Sequence, residues 1–557
     1  MPHNPSFSPT PLRPLALTLA GVLLSSASWA ATLVVNDSGD ASLAGAMCSG
    51  APNPCTLRAA IQAANANADH DTIQFNFSGG QVTISPTSAL PPIVNPVTID
   101  GYALGAGNPN TLAVGHDAFI SIRIDGQNAG PNIPGLVFLG GASNSVLRGV
   151  AITRFGAHGV MLSGQNIANS LIEVSVTGNF IGTDGTGVGD DATGLLANAG
   201  SGIFINDLAR NAMVGGDLPA ERNLIVAHGT QTGVALFNAP QNQIRNNYIG
   251  TNRAGDSRRA TAVGVSLHSS AATVDSNILG ASNLGVFITG DSGATNYSLL
   301  QSNRIGVGTN GAAITAPGSQ HGVYIINAGT ASPQRVKVGG EDPGEGNLIA
   351  HWGGDGIRVE RNAAAAPDLR YHKWSGNSIH SNGGLGIELI DTATGVGAGP
   401  MAAAPTTVNA SPRYPLILGA TGNAAGTVVN FEFAGASNAS YRMEVFANTT
   451  CDASNFGEGQ TYLGAVGITT DAGGAYTGAA AMPAVPAGSR VTMTATRDYS
   501  DSFGTAESSE FSQCFTVAAG PGGGGSVTAV PTLGHLGLIL LSALLGAMGL
   551  RARRHSR

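Results

Sequence analysis

The chain has 557 residues, of which 80 are glycine and only 11% are charged. Glycine is about twice as frequent as usual and charge less than half as frequent, which argues against a helical bundle or coiled coil. The glycines have no period of three, unlike collagen, and a hydrophobic content of 42% argues against wholesale disorder. A net charge of −8, with Lys337 and Lys373 as the only lysines, argues against a nucleic-acid partner.

Residues 1–30 have the features of a secretory signal peptide. Arg13 supplies the positive charge, residues 15–24 form an apolar run too short to span a bilayer, and Ser28 and Ala30 are small. We therefore expect export and cleavage by a signal peptidase before Ala31. A buried hydrophobic helix is the alternative.

The four cysteines lie near the two ends of the exported body, at Cys48, Cys55, Cys451 and Cys514. An even number in an oxidising compartment indicates disulfides, and three pairings are possible. Proximity in the sequence favours Cys48 with Cys55 and Cys451 with Cys514. Their spacing fits no zinc motif, and we predict no metal site and no cofactor.

Two marks alternate without exception through the middle of the chain. One is glycine followed by Val or Ile, and the other is Asn-x-(Ile/Leu), usually followed by Gly. The glycines are Gly159, Gly202, Gly233, Gly264, Gly285, Gly322, Gly356 and Gly386. The asparagines are Asn179, Asn223, Asn247, Asn277, Asn303, Asn347 and Asn377.

This repeat predicts a solenoid of short stacked parallel strands. Side chains alternate between faces in a strand, so Ile357 and Val359 should point inward and Arg358 and Glu360 outward. We expect the marked glycines and asparagines to lie at sharp turns with positive φ. Asparagines at one position of every turn would also stack into a hydrogen-bonded ladder.

The solenoid resembles the right-handed parallel β-helix class of pectate lyases, polygalacturonases and phage tailspikes. Residues 55–65, CTLRAAIQAAN, resemble the CSLREA signature near the start of many exported bacterial β-helix proteins. We expect Thr56 to cap a short helix that forms a lid over the core, within an N-terminal cap at 31–75. The β-helix is predicted at 76–395, with its first strands around Ile73, Phe75 and Phe77, then Val97 and Ile99.

The pattern changes near residue 395. Residues 396–410 are rich in Gly, Ala and Pro and predict a linker. Short alternating runs over 411–518 predict an Ig-like β-sandwich and resemble the sandwich that often follows such β-helices. Residues 519–529 are glycine-rich and predict a flexible tether.

Residues 530–557 resemble the IPTL-type sorting signals of exported bacterial proteins. Val530, Pro531, Thr532 and Leu533 open an apolar stretch that ends before the arginines at 551–557. That stretch is about 18 residues long, near the lower limit for a transmembrane helix, and the arginines place its end in the cytoplasm. The resemblance implies an exosortase-like sorting enzyme as a partner; a permanent anchor is the alternative. The membrane is predicted to be contacted only through this tail.

Catalytic residues are not identified by the sequence. Glycoside hydrolysis needs two carboxyl groups flanking the bond, and Asp190-Asp191 is the nearest match to a polygalacturonase motif. The other polygalacturonase segments and the pectate-lyase signatures are missing. The enzyme question stays open, and we lean toward no catalysis.

Two sets of residues are candidates for binding a glycan. The segments at 183–200, 251–262 and 307–320 would form a ridge beside a groove, carrying Asp184, Asp190, Asp191 and Arg253. A second cluster has rings to stack on sugars and charges to engage acids; it comprises Trp352, Asp355, Arg358, Arg361, Tyr371 and Trp374. An ordinary polar surface is the alternative.

Without its two terminal signals the body carries 21 basic and 34 acidic residues, a net charge of −13. The sequence therefore predicts a secreted protein of the cell surface or outer envelope that binds extracellular polysaccharide or matrix without catalysis. The runner-up is a polysaccharide lyase or glycoside hydrolase, and the third alternative is a structural spacer.

Overall fold

The structure is a computed structural model that describes residues 30–520 except for 46, 49–52, 106, 166–169, 172, 188–194, 291–296, 328, 330, 332–334, 396–406, 411 and 500–504. The predicted signal peptide up to Trp29, nearly all of the predicted linker, and the tether and sorting tail from 521 onward lie outside the described residues. In the described part of the chain, no helix has the length and apolarity needed to cross a bilayer.

Residues 32–391 form a right-handed parallel β-helix, as the repeat and the resemblance predicted. Among the described residues it has three sheets, A, B and C, whose strand pairs are all parallel. From Val97 onward the chain visits A, B and C in turn, and one such turn is called a rung. The rungs stack at about 4.8 Å.

The three sheets hold eleven, ten and nine strands within the described ranges. Sheet A comprises Thr32–Val35, Asp71–Phe75, Val97–Asp100, Val146–Arg148, Ser175–Thr177, Met213–Gly215, Asn242–Arg245, Ala272–Asp275, Ser298–Gln301, Val336–Gly339 and Lys373–Ser375. Sheet B comprises Val82–Ile84, Ile122–Asp125, Val150–Thr153, Phe180–Ile181, Leu224–Ile225, Tyr248–Ile249, Ile278–Leu279, Arg304–Ile305, Leu348–Ala350 and Ser378–His380. Sheet C comprises Leu136–Phe138, Val160–Ser163, Ile203–Asn206, Thr232–Phe237, Val263–His268, Leu284–Thr289, Val323–Ile326, Ile357–Arg361 and Ile387–Asp391.

Alternation along the strands builds one continuous apolar core. Ile357 and Val359 are fully buried, whereas Arg358 and Glu360 lie on the outer surface, as predicted. Buried aliphatic side chains occupy the same inward positions in successive rungs, so each rung covers the apolar side chains of the next. The core therefore depends on stacking, because no single rung could bury its own apolar face.

The predicted asparagine ladder is confirmed. All seven marked asparagines are buried between sheets A and B. In the middle of the ladder, Asn277 Nδ2 donates to Asn303 Oδ1 at 3.0 Å, and the backbone N–H of Asn277 donates to the same oxygen. Each side chain thus satisfies buried polar groups of its neighbours, which stabilises the register of the stack.

The prediction that the marked glycines and asparagines have positive φ was wrong. The marked glycines do not have positive φ; instead, a Cβ on Gly233 would lie 2.8 Å from the Gly264 carbonyl oxygen and 2.3 Å from Ile249 Cγ2. Close approach between rungs therefore requires glycine there. Positive φ occurs one residue before several ladder asparagines, as at Ser276 and Ser302.

The N-terminal end of the core is closed by a short helix. Helix α1, Leu57–Ala64, is capped by Thr56, whose side chain accepts a hydrogen bond from the Ala59 N–H, and it buries Leu57 and Ile61 against the first rungs, as predicted. Sheet A begins earlier than expected, because Thr32–Val35 already pairs with Asp71–Phe75. The 3₁₀ helices described are Ala103–Gly105, Gly126–Asn128, Gly140–Ala142 and Pro219–Glu221.

Both predicted disulfides are confirmed. Cys48 is bonded to Cys55 beside helix α1, and Cys451 is bonded to Cys514 in the C-terminal module.

The C-terminal module consists of two sheets around a separate apolar core. One contains Leu416–Asn423, Gly426–Ala434, Ala475–Met482 and Ala518–Ala519. The other contains Ser440–Asn448, Thr461–Thr469, Arg490–Asp498, Ala506–Ser508 and Phe515–Thr516. That its topology is Ig-like stays a prediction.

This module closes the C-terminal end of the β-helix. Trp374 is the last inward residue of sheet A and donates its Nε1–H to the Ser509 carbonyl oxygen at 2.8 Å. Phe446 and Phe511 of the module belong to the same apolar core as Ile387. The last rung is thus covered by aromatic side chains rather than by water.

Candidate functional site

The predicted ridge follows sheet B. Three long segments start after Phe180–Ile181, Tyr248–Ile249 and Arg304–Ile305, so they leave the same corner of every second rung before sheet C begins. They also contact one another: the Thr309 N–H donates to the Gly255 carbonyl oxygen at 2.9 Å. Gly187 lies against Phe180 and Leu224, and Gly255 lies against Tyr248, so the segments form a wall over the outer face of sheet B.

The predicted ridge residues serve mainly to build this wall. The Arg253 guanidinium donates to the carbonyl oxygens of His116, Thr186 and Ala118, so it joins three segments of backbone. Asp184 is half-buried and accepts hydrogen bonds from the N–H and hydroxyl of Thr186. Asp190 and Asp191 lie outside the described residues.

Four members of the second predicted cluster are buried, among them both tryptophans and Arg361. Trp352 is 1% exposed and Trp374 is 2% exposed, so the expectation that they stack on sugar rings was wrong. Arg361 was also wrongly expected on the surface: its Nη1 pairs with the buried carboxylate of Asp391 at 3.0 Å. Large apolar rings fill the inside of the last rungs, where the sequence alone does not distinguish inward from outward positions.

Asp355, Arg358 and Tyr371 are divided between two faces. Arg358 lies on sheet C and Asp355, which is 7% exposed, directly precedes that strand, whereas Tyr371 precedes Lys373–Ser375 of sheet A and meets Tyr499 edge-on at 6.2 Å. The expected single cluster at 351–374 is therefore not formed.

The structure instead brings rings together on the outer face of sheet C, in two adjacent columns: Phe204, Phe287 and Tyr324 share one register position, and Phe237 and His268 share another two residues further along the strands. Five successive rungs each contribute one half-buried or exposed ring, which we call the aromatic line: Phe204, Phe237, His268, Phe287 and Tyr324. Phe237 is 42% exposed. Four rung steps span roughly 19 Å along the axis.

Contacts between rungs hold these rings in place. Phe237 and His268 stack with their centroids 4.4 Å apart and their planes 5° apart, and Phe204 stacks in the same way on His158. Phe287 and Tyr324 are tilted by 43° at 5.8 Å. The aromatic line is therefore prearranged, with ring edges and outer faces toward solvent.

The sequence analysis missed the aromatic line, although its signal was present. Phe204, Phe287 and Tyr324 stand two residues after a marked glycine, and Phe237 and His268 stand four residues after one. These positions point outward by the same alternation that assigned Arg358 to the surface. Extending that assignment to every repeat would have identified the line.

A charged network continues the line on its C-terminal side. Arg358 donates from Nη1 to Asp355 Oδ2 at 3.1 Å and from Nε to Glu360 Oε2 at 2.9 Å. The Tyr324 hydroxyl donates to the same Glu360 oxygen at 2.9 Å, and His321 Nδ1 accepts from the Asp355 N–H. The network joins two rungs and fixes the tyrosine ring.

Both carboxyl groups of this network are held ionised. Burial opposes the charge of Asp355, but the nearby His321 side chain and hydrogen bonds from the Leu385 N–H and Arg358 lower its pKa below the ordinary value. Burial also opposes the charge of Glu360, but Arg358 and Thr392 lower its pKa. Glycoside hydrolysis needs a carboxylic acid with a raised pKa as proton donor, and neither group fits that role.

No group of three or more His, Cys, Asp or Glu side chains in the described ranges is arranged to hold a metal ion. The groups on sheet C are thus rings, one arginine and two carboxylates, which suit hydrogen bonding and stacking.

The IPTL-CTERM motif matches residues 528–555, which confirms the resemblance of the tail to these sorting signals. No curated protein matches the chain significantly. Among solved structures, the A-module of mannuronan C-5 epimerase AlgE6 from Azotobacter vinelandii is 14% identical over 58% of this chain and 94% of its own, with a TM-score of 0.20. The tailspike gp49 of Acinetobacter baumannii bacteriophage Fri1, a capsular polysaccharide depolymerase, is 9% identical over 87% and 86%, with a TM-score of 0.21. Both TM-scores are far below 0.5, so we draw no conclusion from these likenesses.

Proposed function

We propose that this chain is an exported protein of the cell envelope that binds an extended polysaccharide on sheet C without cleaving it. The observation that carries the proposal is the aromatic line, in which five successive rungs each present a ring on one open face.

The repeat of the β-helix suits a polymeric ligand. Rings at intervals of about 4.8 Å provide several weak stacking contacts along the axis. Because the stacked rungs already hold the rings in place, little conformational entropy is lost when a chain binds. Several such contacts on one rigid face add to a useful affinity by multivalency.

The charged network supports binding rather than hydrolysis. Asp355 and Glu360 are both held ionised beside Arg358, so neither is arranged to donate a proton to a glycosidic oxygen. The sequence supports the same preference, because the polygalacturonase and pectate-lyase signatures are missing.

The sorting motif supports the location. Residues 528–555 match a sorting motif, and a protein that is recognised by a sorting enzyme outside the cytoplasm would carry such a motif. Together with the predicted signal peptide, it favours a surface or envelope protein processed by an exosortase-like partner.

The test compares Phe237→Ala with Phe119→Ala on the full-length protein. Phe119 is 37% exposed but lies on the segment over sheet B, so it controls for loss of an exposed phenyl ring. Binding to a panel of neutral and acidic polysaccharides is measured by affinity electrophoresis. We expect Phe237→Ala to weaken binding about two- to tenfold, the value of one aromatic contact, and Phe119→Ala to leave it unchanged.

Product analysis on the same samples separates binding from catalysis. New reducing ends or unsaturated products would overturn the noncatalytic proposal. Equal loss in both variants, or no saturable binding to any polysaccharide, would remove sheet C as the binding face and favour the spacer.

A further inference from the structure

A second cleft lies on the outer face of sheet A, where the last rungs meet the C-terminal module. It has a volume of about 460 Å³ and is separate from sheet C. Its apolar part is formed by Tyr297 and Leu299, and its polar part by Gln301, Glu341, Glu345 and the two lysines.

Lys337 and Lys373, the only lysines of the sequence, both line this cleft. They are register partners on adjacent strands of sheet A. The Lys373 ammonium is already paired with Glu341 at 2.7 Å and with Asp498 at 3.0 Å, which ties the β-helix to the module. Lys373 is therefore a structural cation.

Lys337 has different surroundings. Its Nζ lies 4.2 Å from the centroid of the Tyr297 ring, and no carboxylate of the described chain lies within ion-pair distance of it. Burial and the charge of Lys373 lower the pKa of Lys337, and the more distant charges of Asp498 and Glu341 only partly oppose this. An anion entering the cleft would restore favourable surroundings for this ammonium.

We propose that this cleft binds one carboxylate-bearing sugar, a uronate residue. The ligand carboxylate pairs with Lys337, the sugar ring lies against Tyr297 and Leu299, and its hydroxyl groups donate to the acceptors of the polar wall. A cleft of this volume is of the size that small ligands occupy.

The neighbouring acids restrict the charge of the ligand. Glu341 pairs with Lys373, and the Glu345 carboxylate accepts from the Asp342 N–H at 3.1 Å, so both carboxyl groups lie near the site. A doubly charged phosphate would be repelled by them more strongly than a singly charged carboxylate. A uronate has the single charge that one ammonium can balance.

The test measures glucuronate binding to the full-length protein by ligand-observed saturation-transfer NMR. The methyl ester of glucuronate and acetate are measured in the same way, and inorganic phosphate, which has no carbon-bound protons, is measured as a competitor of glucuronate. We expect glucuronate to bind, and the ester, acetate and phosphate to bind at least about tenfold more weakly, because each lacks the carboxylate, the sugar ring or the single charge.

Two variants identify the residues. Lys337→Gln should weaken glucuronate binding about tenfold. Arg148→Gln is the matched control, because Arg148 lies on the same sheet far from the cleft and pairs with Asp100. Unchanged thermal unfolding of both variants shows that they are folded.

Equal binding of glucuronate and its ester, or an unchanged affinity in Lys337→Gln, would overturn the proposal, and equal binding of acetate would exclude the sugar. Phe237→Ala should leave glucuronate binding intact, so that failure of the cleft and failure of the sheet C proposal are distinguishable.

Discussion

The outer faces of sheets B and C differ, although the same rungs build both. On sheet B, a segment at 107–120 lies over the outward side chains and contributes to a second buried cluster: Ala118, Ile120, Ala151, Phe180, Leu224, Tyr248, Ile278 and Ile314. On sheet C, the corresponding rings of the aromatic line stay open to solvent. A ring at an outward position is therefore buried in a core on sheet B, whereas it remains at the surface on sheet C.

Two arginines hold the cover on sheet B. Arg222 donates to the carbonyl oxygens of three residues in the covering segment, Leu112, Ala113 and Gly115. Arg253 holds the same segment through His116 and Ala118. An arginine side chain is suited to pairing with an acidic ligand. Arg222 and Arg253 instead donate to backbone carbonyl oxygens. The location of a side chain therefore decides its role more than its chemistry does.

The largest expected difference between the two faces is in the free energy of unfolding that is lost when one phenyl ring is removed from sheet B or from sheet C. Phe180 is fully buried under the cover, and Phe180→Ala should cost about 3–5 kcal/mol because a cavity remains. Phe287→Ala on sheet C, where the ring is only partly buried, should cost about 1 kcal/mol. Guanidinium denaturation measures both, and equal costs would contradict the view that sheet B carries a second core.

Acid should loosen the cover on sheet B. His116 packs against Phe180, and burial lowers its pKa to about 4. Its folded pKa lies below the unfolded value of about 6.5, so the unfolded state binds the proton first and stability falls as the pH drops from about 6.5 to about 4. The loss attributable to His116 should reach at most about 3 kcal/mol.

The variant His116→Gln isolates this contribution. His372, whose pKa burial lowers to about 3, adds to the acid loss in both proteins. Thermal unfolding between pH 7 and pH 4 should therefore show a shallower fall for His116→Gln than for the unmodified chain. Parallel curves would show that His116 is not the responsible group.

Loss of the Arg253 guanidinium should open the cover without unfolding the rungs. Arg253→Met removes hydrogen bonds from a charged donor to three carbonyl groups and should cost about 2 kcal/mol. Hydrogen exchange at 107–120 should become faster. Arg258→Met, in the same loop, keeps these bonds and is the control; equal acceleration in both would contradict the assigned role.

The smallest expected effect on stability is on the open face. Phe237→Ala should change the free energy of unfolding by less than about 0.5 kcal/mol, because the ring is 42% exposed. Its polysaccharide binding should nevertheless fall as proposed above. A large loss of stability in calorimetry would mean that sheet C, like sheet B, is a structural face.

The sequence predicted the rungs well because their requirements are local and repeated. An asparagine such as Asn277 can bond its equivalents above and below only if it recurs at one position of every rung, and that recurrence is visible in the sequence. The Cys48–Cys55 disulfide and the Thr56 cap were predictable for the same reason, since their partners are close in the chain.

The candidate site was predicted less well, because it depends on which positions remain uncovered. Trp352 and Arg358 are six residues apart, yet one is 1% exposed in the core and the other lies on the surface. Composition singled out both as glycan-binding types. Only the assignment of each residue to an inward or outward position separates them.

The sequence alone determined that this chain stacks into parallel rungs with an aliphatic interior, because a periodic pattern of apolar, glycine and asparagine residues has few other ways to bury its apolar side chains. Only the tertiary structure decided which outward face is covered by a loop, which arginines bind backbone and which lysine keeps an available charge. Those outcomes depend on contacts between residues a hundred or more positions apart, such as Arg253 with His116, and no local pattern encodes them.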